Sequence, residues 1–189
     1  MRIISLALLA AYAAGAEPLA TVSIDAATII GTPGYHRVGK STQGRWWFID
    51  PDGKPYWHRG VVAVNRAGLT GGRRAQRGPY NDVVDRKYGT AADPFVPETI
   101  KRLRSWGFNA MGAWTTPEFF DRGMPYTEIL ELAKLSPDLP GPLRCPDVFD
   151  PKWVAAVDEA CRTLCAPRRN SRDLIGYYTD NEMAWSPPP

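Results

Sequence analysis

The sequence predicts an α/β fold built on a parallel sheet with helices outside it. Three observations lead there. Short apolar segments at Val61, Phe108 and Leu174 have the length and composition of buried strands, and a fourth, at residues 126–132, joins them by its place in the order although its period does not set its type. Helical material separates the segments, and strands that alternate with helices pair in parallel. No Gly-x-Gly-x-x-Gly follows the first strand, which weighs against a nucleotide-binding sheet. Two architectures satisfy the alternation, a doubly wound sheet and a TIM (β/α)8 barrel.

Composition agrees with a globular domain. The 189 residues are 44% hydrophobic and 23% charged, enough for one real core and too apolar for disorder. A net charge of +3 is too small to imply nucleic acid, although Arg66, Arg73, Arg74 and Arg77 crowd one Gly-rich stretch. Seven Trp and eight Tyr supply flat ring surface suited to sugars or bases, or to core filling. At the N-terminus, Arg2, an apolar stretch over residues 3–14 and the small-x-small Ala14-Gly15-Ala16 read as an export signal, residues 1–16. That stretch is too short for a membrane span, and no other run approaches the ~20 apolar residues needed. The expected location is therefore secreted or periplasmic.

In that oxidising compartment Cys145, Cys161 and Cys165 could pair with one left over. Cys161 and Cys165, four apart on a predicted helix, could equally face the core as small hydrophobes. His36 and His58 lie far from the cysteines with no ligand spacing, so neither metal nor cofactor is expected.

In chain order, residues 17–44 read as an extended leader with an edge strand. Arg45-Trp46-Trp47-Phe48-Ile49 and Lys54-Pro55-Tyr56-Trp57-His58 form a hairpin around Asp50-Pro51-Asp52-Gly53, which has Pro and Gly at turn positions. Its second arm runs into the β-branched segment 60–65. Residues 66–96, with five glycines and five arginines, read as a long irregular loop. Pro97 then opens a helix carrying Ile100, Leu103 and Trp106, and Gly107 stops it. After the strand at 108–114, Thr116 and Pro117 are placed to cap another helix. Beyond a Pro-rich loop, Asp150-Pro151 caps a helix with Val154, Val157, Cys161 and Leu164 as its apolar stripe.

The last strand, Leu174-Ile175-Gly176-Tyr177-Tyr178, ends in Thr179-Asp180-Asn181-Glu182 and then Met183-Ala184-Trp185. A buried strand that delivers a carboxylate at its tip is a catalytic signature. The strand fixes the Cα of Glu182, Asn181 offers an amide to a substrate hydroxyl, and aromatic neighbours lower the local dielectric. In a barrel the active site lies at the C-terminal strand ends, where Asn65, Trp114, Asn181 and Glu182 fall; His58 does not.

Three motifs carry a resemblance. Trp-Phe-x-Asp-x-x-Gly-x-Pro at residues 47–55, Trp-Gly-Phe-Asn-x-x-Gly-x-Trp at 106–114 and Ile-Gly-Tyr-Tyr-Thr-Asp-Asn-Glu at 175–182 resemble the retaining (β/α)8 glycoside hydrolases of clan A. The Asp-Asn-Glu form is similar to β-agarases and family 42 β-galactosidases, and the second motif leans toward the agarases. The resemblance implies Glu182 as general acid/base and Asn181 as the residue that hydrogen-bonds the sugar 2-hydroxyl. Trp114 and Trp185 add candidate sugar-stacking platforms, and His58 and Asn65 could reach the sugar from the first strand. The implied substrate is a galactan such as agarose.

Retaining chemistry needs a second carboxylate about 5 Å from the first. In this clan it comes from the seventh strand, and the present sequence ends just after the fourth. Without its leader it is also well short of the ~250 residues of a complete barrel. The expectation is therefore the N-terminal half of a (β/α)8 catalytic domain over residues 45–189, with little activity alone and unpaired strand edges that invite self-association. Two other classes fit parts of the sequence: a non-catalytic carbohydrate-binding relative, and an exported protein whose arginines, Arg66 to Arg77, meet an anionic polymer.

Overall fold

Two sheets of opposite kind organise the chain, which divides into two compact units between Trp57 and His58. The computed structural model describes residues 21–66, 79–135 and 146–183. The export signal, Arg73, Arg74, Arg77, Cys145 and Trp185 lie outside the described residues. Each unit is taken by itself.

In the first unit β1 (Arg37–Lys40), β2 (Trp46–Ile49) and β3 (Pro55–Tyr56) form an antiparallel sheet in that order. The expected hairpin is β2 and β3, with Phe48 opposite Tyr56 and Ile49 opposite Pro55. Asp50 builds its turn: the Asp50 carboxylate accepts the Asp52 and Lys54 amides at 3.0 and 2.8 Å, and its own amide donates to the Lys54 carbonyl at 2.8 Å. Alternation along β2 buries Ile49 and leaves Trp46 and Phe48 exposed.

The second unit holds β4 (Gly60–Val61), β5 (Ala110–Met111), β6 (Tyr126–Ile129) and β7 (Leu174–Tyr178), all parallel and adjacent in chain order. Each of the four apolar segments supplies one strand of the expected parallel sheet. Among the described residues its α-helices are α1 (Pro79–Tyr88), α2 (Ala92–Ser105) and α3 (Pro151–Ala160). α2 ends as Gly107 requires. Its φ of +86° suits glycine, and the Gly107 and Phe108 amides reach back to the Arg104 and Leu103 carbonyls at 2.9 and 3.1 Å. That pair of bonds is a Schellman cap. The core gathers Phe95, Val96, Ile100 and Leu103 of α2 against Met111, Phe119, Met124 and Tyr126. Phe95 meets Phe119 edge-on at 5.7 Å, and Phe120 stacks on Tyr126 at 4.1 Å.

Several local expectations are corrected. The irregular loop over residues 66–96 instead contains α1 and the start of α2. α1 is polar, with Val84 as its buried residue, so its period is faint. It is held from outside, by Arg66 paired to Asp85 at 2.8 Å. Pro97 does not open α2 but lies inside it, in the first turn after a kink at Asp93, where its missing N–H costs little. Trp106 has left the helical line at the α2 C-cap and is 65% exposed.

Thr116 starts only a single 3₁₀ turn, Pro117–Phe119, and its side chain caps nothing. In α3 the Asp150 cap forms as expected, accepting the Lys152 amide at 2.9 Å. The inward face, however, is Trp153, Ala156, Val157 and Ala160, offset by one residue from the expected stripe, and Val154, Cys161 and Leu164 are exposed. Cys161 and Cys165 are free thiols, and Cys161 does not face the core. No helix among the described residues is long and apolar enough to cross a membrane.

One ion pair sits where β6 meets the segment after α3. Arg168 Nε lies 3.0 Å from Glu128 Oε2, with side chains only 17% and 15% exposed, and the guanidinium covers the Phe120 ring at 5.1 Å. Burial pushes the Glu128 carboxyl above its usual range, and Arg168 opposes that rise. Arg168→Met removes the opposition and should destabilise the fold by about 3 kcal/mol at pH 7. A carboxyl with a raised folded pKa is best tolerated protonated, so the deficit against wild type should shrink as pH falls through that pKa. Thermal melts of both proteins from pH 7 to pH 4 check this, and a deficit that is absent or constant with pH refutes the buried-pair account.

Candidate active site

Parallel strands point their C-terminal ends to one edge, and here the hydrogen bonding continues past the strands themselves. The Ala63 amide donates to the Ala113 carbonyl at 2.8 Å, and that of Thr116 to Val64 at 3.1 Å. On the other side, the Leu130 and Leu132 amides donate to the Tyr178 and Thr179 carbonyls, both at 2.9 Å. These lateral bonds carry Asn65, Trp114, Asn181 and Glu182 to one edge of the sheet. His58 is not among them. It precedes β4, at the N-terminal edge, with its ring so close to Gly60 that an added Cβ would come within 2.5 Å of Nε2. Burial pushes its imidazole below the usual range.

Backbone strain collects at the same edge. Among the described residues five non-glycine residues have positive φ, and four of them follow the four strands in turn: Ala63 (56°), Trp114 (60°), Glu131 (53°) and Glu182 (44°). Each costs roughly 1–2 kcal/mol relative to ordinary backbone, and strain of this kind concentrates at functional sites.

The three polar residues that end β7 divide their work. Asp180 is partly buried, and its Oδ1 accepts the Ala133 amide at 2.8 Å, tying the end of β7 to the 3₁₀ turn after β6, Leu132–Leu135. Asn181 and Glu182 are exposed. The shielding of Glu182 by aromatic neighbours expected from the sequence is therefore not provided by the described residues; the turn at Glu182 swings it out of the strand. Trp114 is 46% exposed, above a turn closed by the Thr115 hydroxyl donating to the Gly112 carbonyl at 2.8 Å. Asn65 is partly buried and donates through Nδ2 to the Ala63 carbonyl at 2.9 Å.

Two residues at this edge escaped the sequence reading. Glu131 stands at the end of β6 and is ion-paired with Lys134 three residues on. Asp180 was visible only as one of three polar residues, and its anchoring role depends on a turn 47 positions away. Among the described residues, no group of three or more His, Cys, Asp and Glu side chains could hold a metal ion.

No family model matches this chain. It is 23% identical to Beta-agarase A of Vibrio sp. (strain JT0107) over 206 residues, an alignment that takes in 83% of this chain and 20% of that protein. It is 30% identical over 118 residues to Beta-agarase B of the same organism, covering 56% of this chain and 12% of that one. Among solved structures, the agarase AgWH50C matches with a TM-score of 0.65 at 21% identity over 96% of this chain and 34% of its own. The shared property at that identity is the mixed α/β fold. The chain spans about a fifth or less of the length of these curated relatives.

If Asp180 anchors this edge, Asp180→Ala leaves the Ala133 amide without its acceptor and should cost about 1–2 kcal/mol, whereas Asp180→Asn keeps an acceptor and most of the stability. Thermal unfolding of the three proteins decides it, and an alanine variant that melts with wild type would remove the anchor from the account.

Proposed function

We propose that residues 45–189 are the N-terminal half of a retaining (β/α)8 glycoside hydrolase of the β-agarase kind, in clan A, acting on a galactan such as agarose. The observation that carries this reading is the exposed Asn181-Glu182 pair at the C-terminal edge of a four-stranded parallel sheet, with the half-exposed Trp114 at the same edge. Similarity to two β-agarases supports the substrate class. In this reading Glu182 protonates the departing glycosidic oxygen and then deprotonates the water that releases the sugar. Asn181 hydrogen-bonds the 2-hydroxyl, a contact that strengthens as the ring approaches an oxocarbenium ion. Trp114 and Trp185 stack on sugar faces, and Asn65 contributes from the first barrel strand.

In this reading the nucleophile is a second carboxylate about 5 Å from Glu182, contributed by a later strand of a complete barrel. Residues 1–16 direct export. Among the described residues β4 and β7 end the parallel sheet, and their open edges would pair with another copy.

The test is made on this sequence joined to the remainder of its reading frame. The extended protein should release reducing sugar from agarose with retention of configuration. Glu182→Gln should lower kcat by about 10³ while oligosaccharide binding stays near wild type. Full activity in the glutamine variant sinks the assignment. Binding without hydrolysis by the wild-type extended protein favours the non-catalytic carbohydrate-binding relative instead.

A further inference from the structure

Phe149 is 89% exposed, the most exposed of the large hydrophobic side chains among the described residues. Burying a phenylalanine ring is worth about 1.5–3 kcal/mol, so a ring held in water by rigid backbone invites an explanation. The backbone is indeed fixed. The Asp147 carboxylate accepts the Phe149 amide at 2.9 Å, the Asp147 carbonyl accepts the Asp150 amide at 3.1 Å, and the Asp150 carboxylate caps α3. Both flanking acids are thus engaged in building the turn that presents the ring.

Its place in the fold adds to this. The first turn of α3 is tied to the end of β6 by Trp153, whose indole Nε1 donates to the Leu132 carbonyl at 3.3 Å. The next residue, Ala133, is tied to Asp180. Two hydrogen bonds therefore link the Phe149 turn to the end of β7, two residues before Glu182. Trp114 and Tyr178, 46% and 53% exposed, stand at the same edge. Separate exposed rings among polar groups suit a sugar, which offers an apolar ring face and hydroxyls together. A protein partner needs a continuous patch near 800 Å² on each side.

We infer that Phe149 is a sugar-stacking platform at the rim of the strand-end site, binding the apolar face of a pyranose ring removed from the bond that is cleaved. The inference rests on the glycosidase reading for its ligand class and on the geometry of the 147–150 turn for its residue.

The test uses the 189-residue chain and isothermal titration with an agaro-oligosaccharide, with cello- and xylo-oligosaccharides alongside. Phe149→Ala should weaken binding about tenfold, Phe149→Trp should keep it, and both should melt with wild type because the ring packs against almost nothing. An alanine variant that binds the agaro-oligosaccharide as wild type does overturns the inference and leaves the glycosidase reading standing. Loss of cello- or xylo-oligosaccharide binding in the alanine variant, with no agaro-oligosaccharide binding by wild type, upholds Phe149 and overturns the galactan assignment. A variant that loses binding because its melting point falls, or a wild-type chain that binds none of the three sugars, overturns the inference.

Discussion

The parallel pairing of β7 on β6 is the constraint on which the candidate site depends. A parallel pair cannot close through a tight turn, so the chain between these strands must travel back along the outside of the sheet, and α3 does so. Once it has, β7 is delivered in register, with Thr127 opposite Gly176 and Ile129 opposite Tyr178. The ladder then runs on through Leu130 and Leu132 to Asp180. The position of Glu182 is thus inherited from a sheet rather than from a free loop. The opposite end is fastened as well: the Asp173 carbonyl and carboxylate accept the Tyr126 and Gly123 amides at 2.8 and 2.7 Å. A strand held at both ends positions its tip with little freedom.

That rigidity bears on the strain at the C-terminal edge. Four left-handed non-glycine residues together cost of order 4–8 kcal/mol, comparable to the whole net stability of an ordinary domain. They persist because the lateral hydrogen bonds past each strand and the buried cluster around Phe95, Met111, Phe119 and Tyr126 over-determine the backbone. The two ends of the sheet therefore differ in character. At the N-terminal end the Asp173 carboxylate accepts the Gly123 amide and the Ser171 hydroxyl oxygen accepts the Leu174 amide, while the residues after all four strands include one with positive φ.

Where the sequence was legible, a local rule and the tertiary structure agreed. Three of the four parallel strands were legible as short apolar runs and the fourth, at 126–132, only by its place in the order, and the hairpin because Asp50-Pro51-Asp52-Gly53 builds a turn from its own side chain. α1 was obscured because its buried face is little more than Val84, and its support comes from Arg66, far away in sequence. Even so, Pro79 at its start and Gly89 just past its end, with the Gly89 amide bonded to the Asp85 carbonyl at 2.9 Å, were helix punctuation in plain view. The stripe of α3 was offset by one residue because Trp153, whose indole reaches the Leu132 carbonyl, sets the inward face. His58 looked like part of the site on side-chain chemistry alone, and the direction of β4 carries it to the other edge.

The consecutive Asp180-Asn181-Glu182 shows how backbone geometry can give similar side chains unlike roles. Along an unbroken strand Asp180 and Glu182 would lie on one face, since the side-chain period is two. A carboxylate pair so close would repel. β7 ends at Tyr178 and the backbone turns left-handed at Glu182, so the alternation does not carry through the three residues. Asp180 then spends its charge inward on the Ala133 amide, and Glu182 faces solvent. Replacing Glu182 by glycine would make that turn easier and remove the acid; replacing it by a β-branched residue would make it harder. The left-handed backbone at Glu182 is a strained position of the kind that concentrates at functional sites, and it accords with the role proposed for that carboxylate.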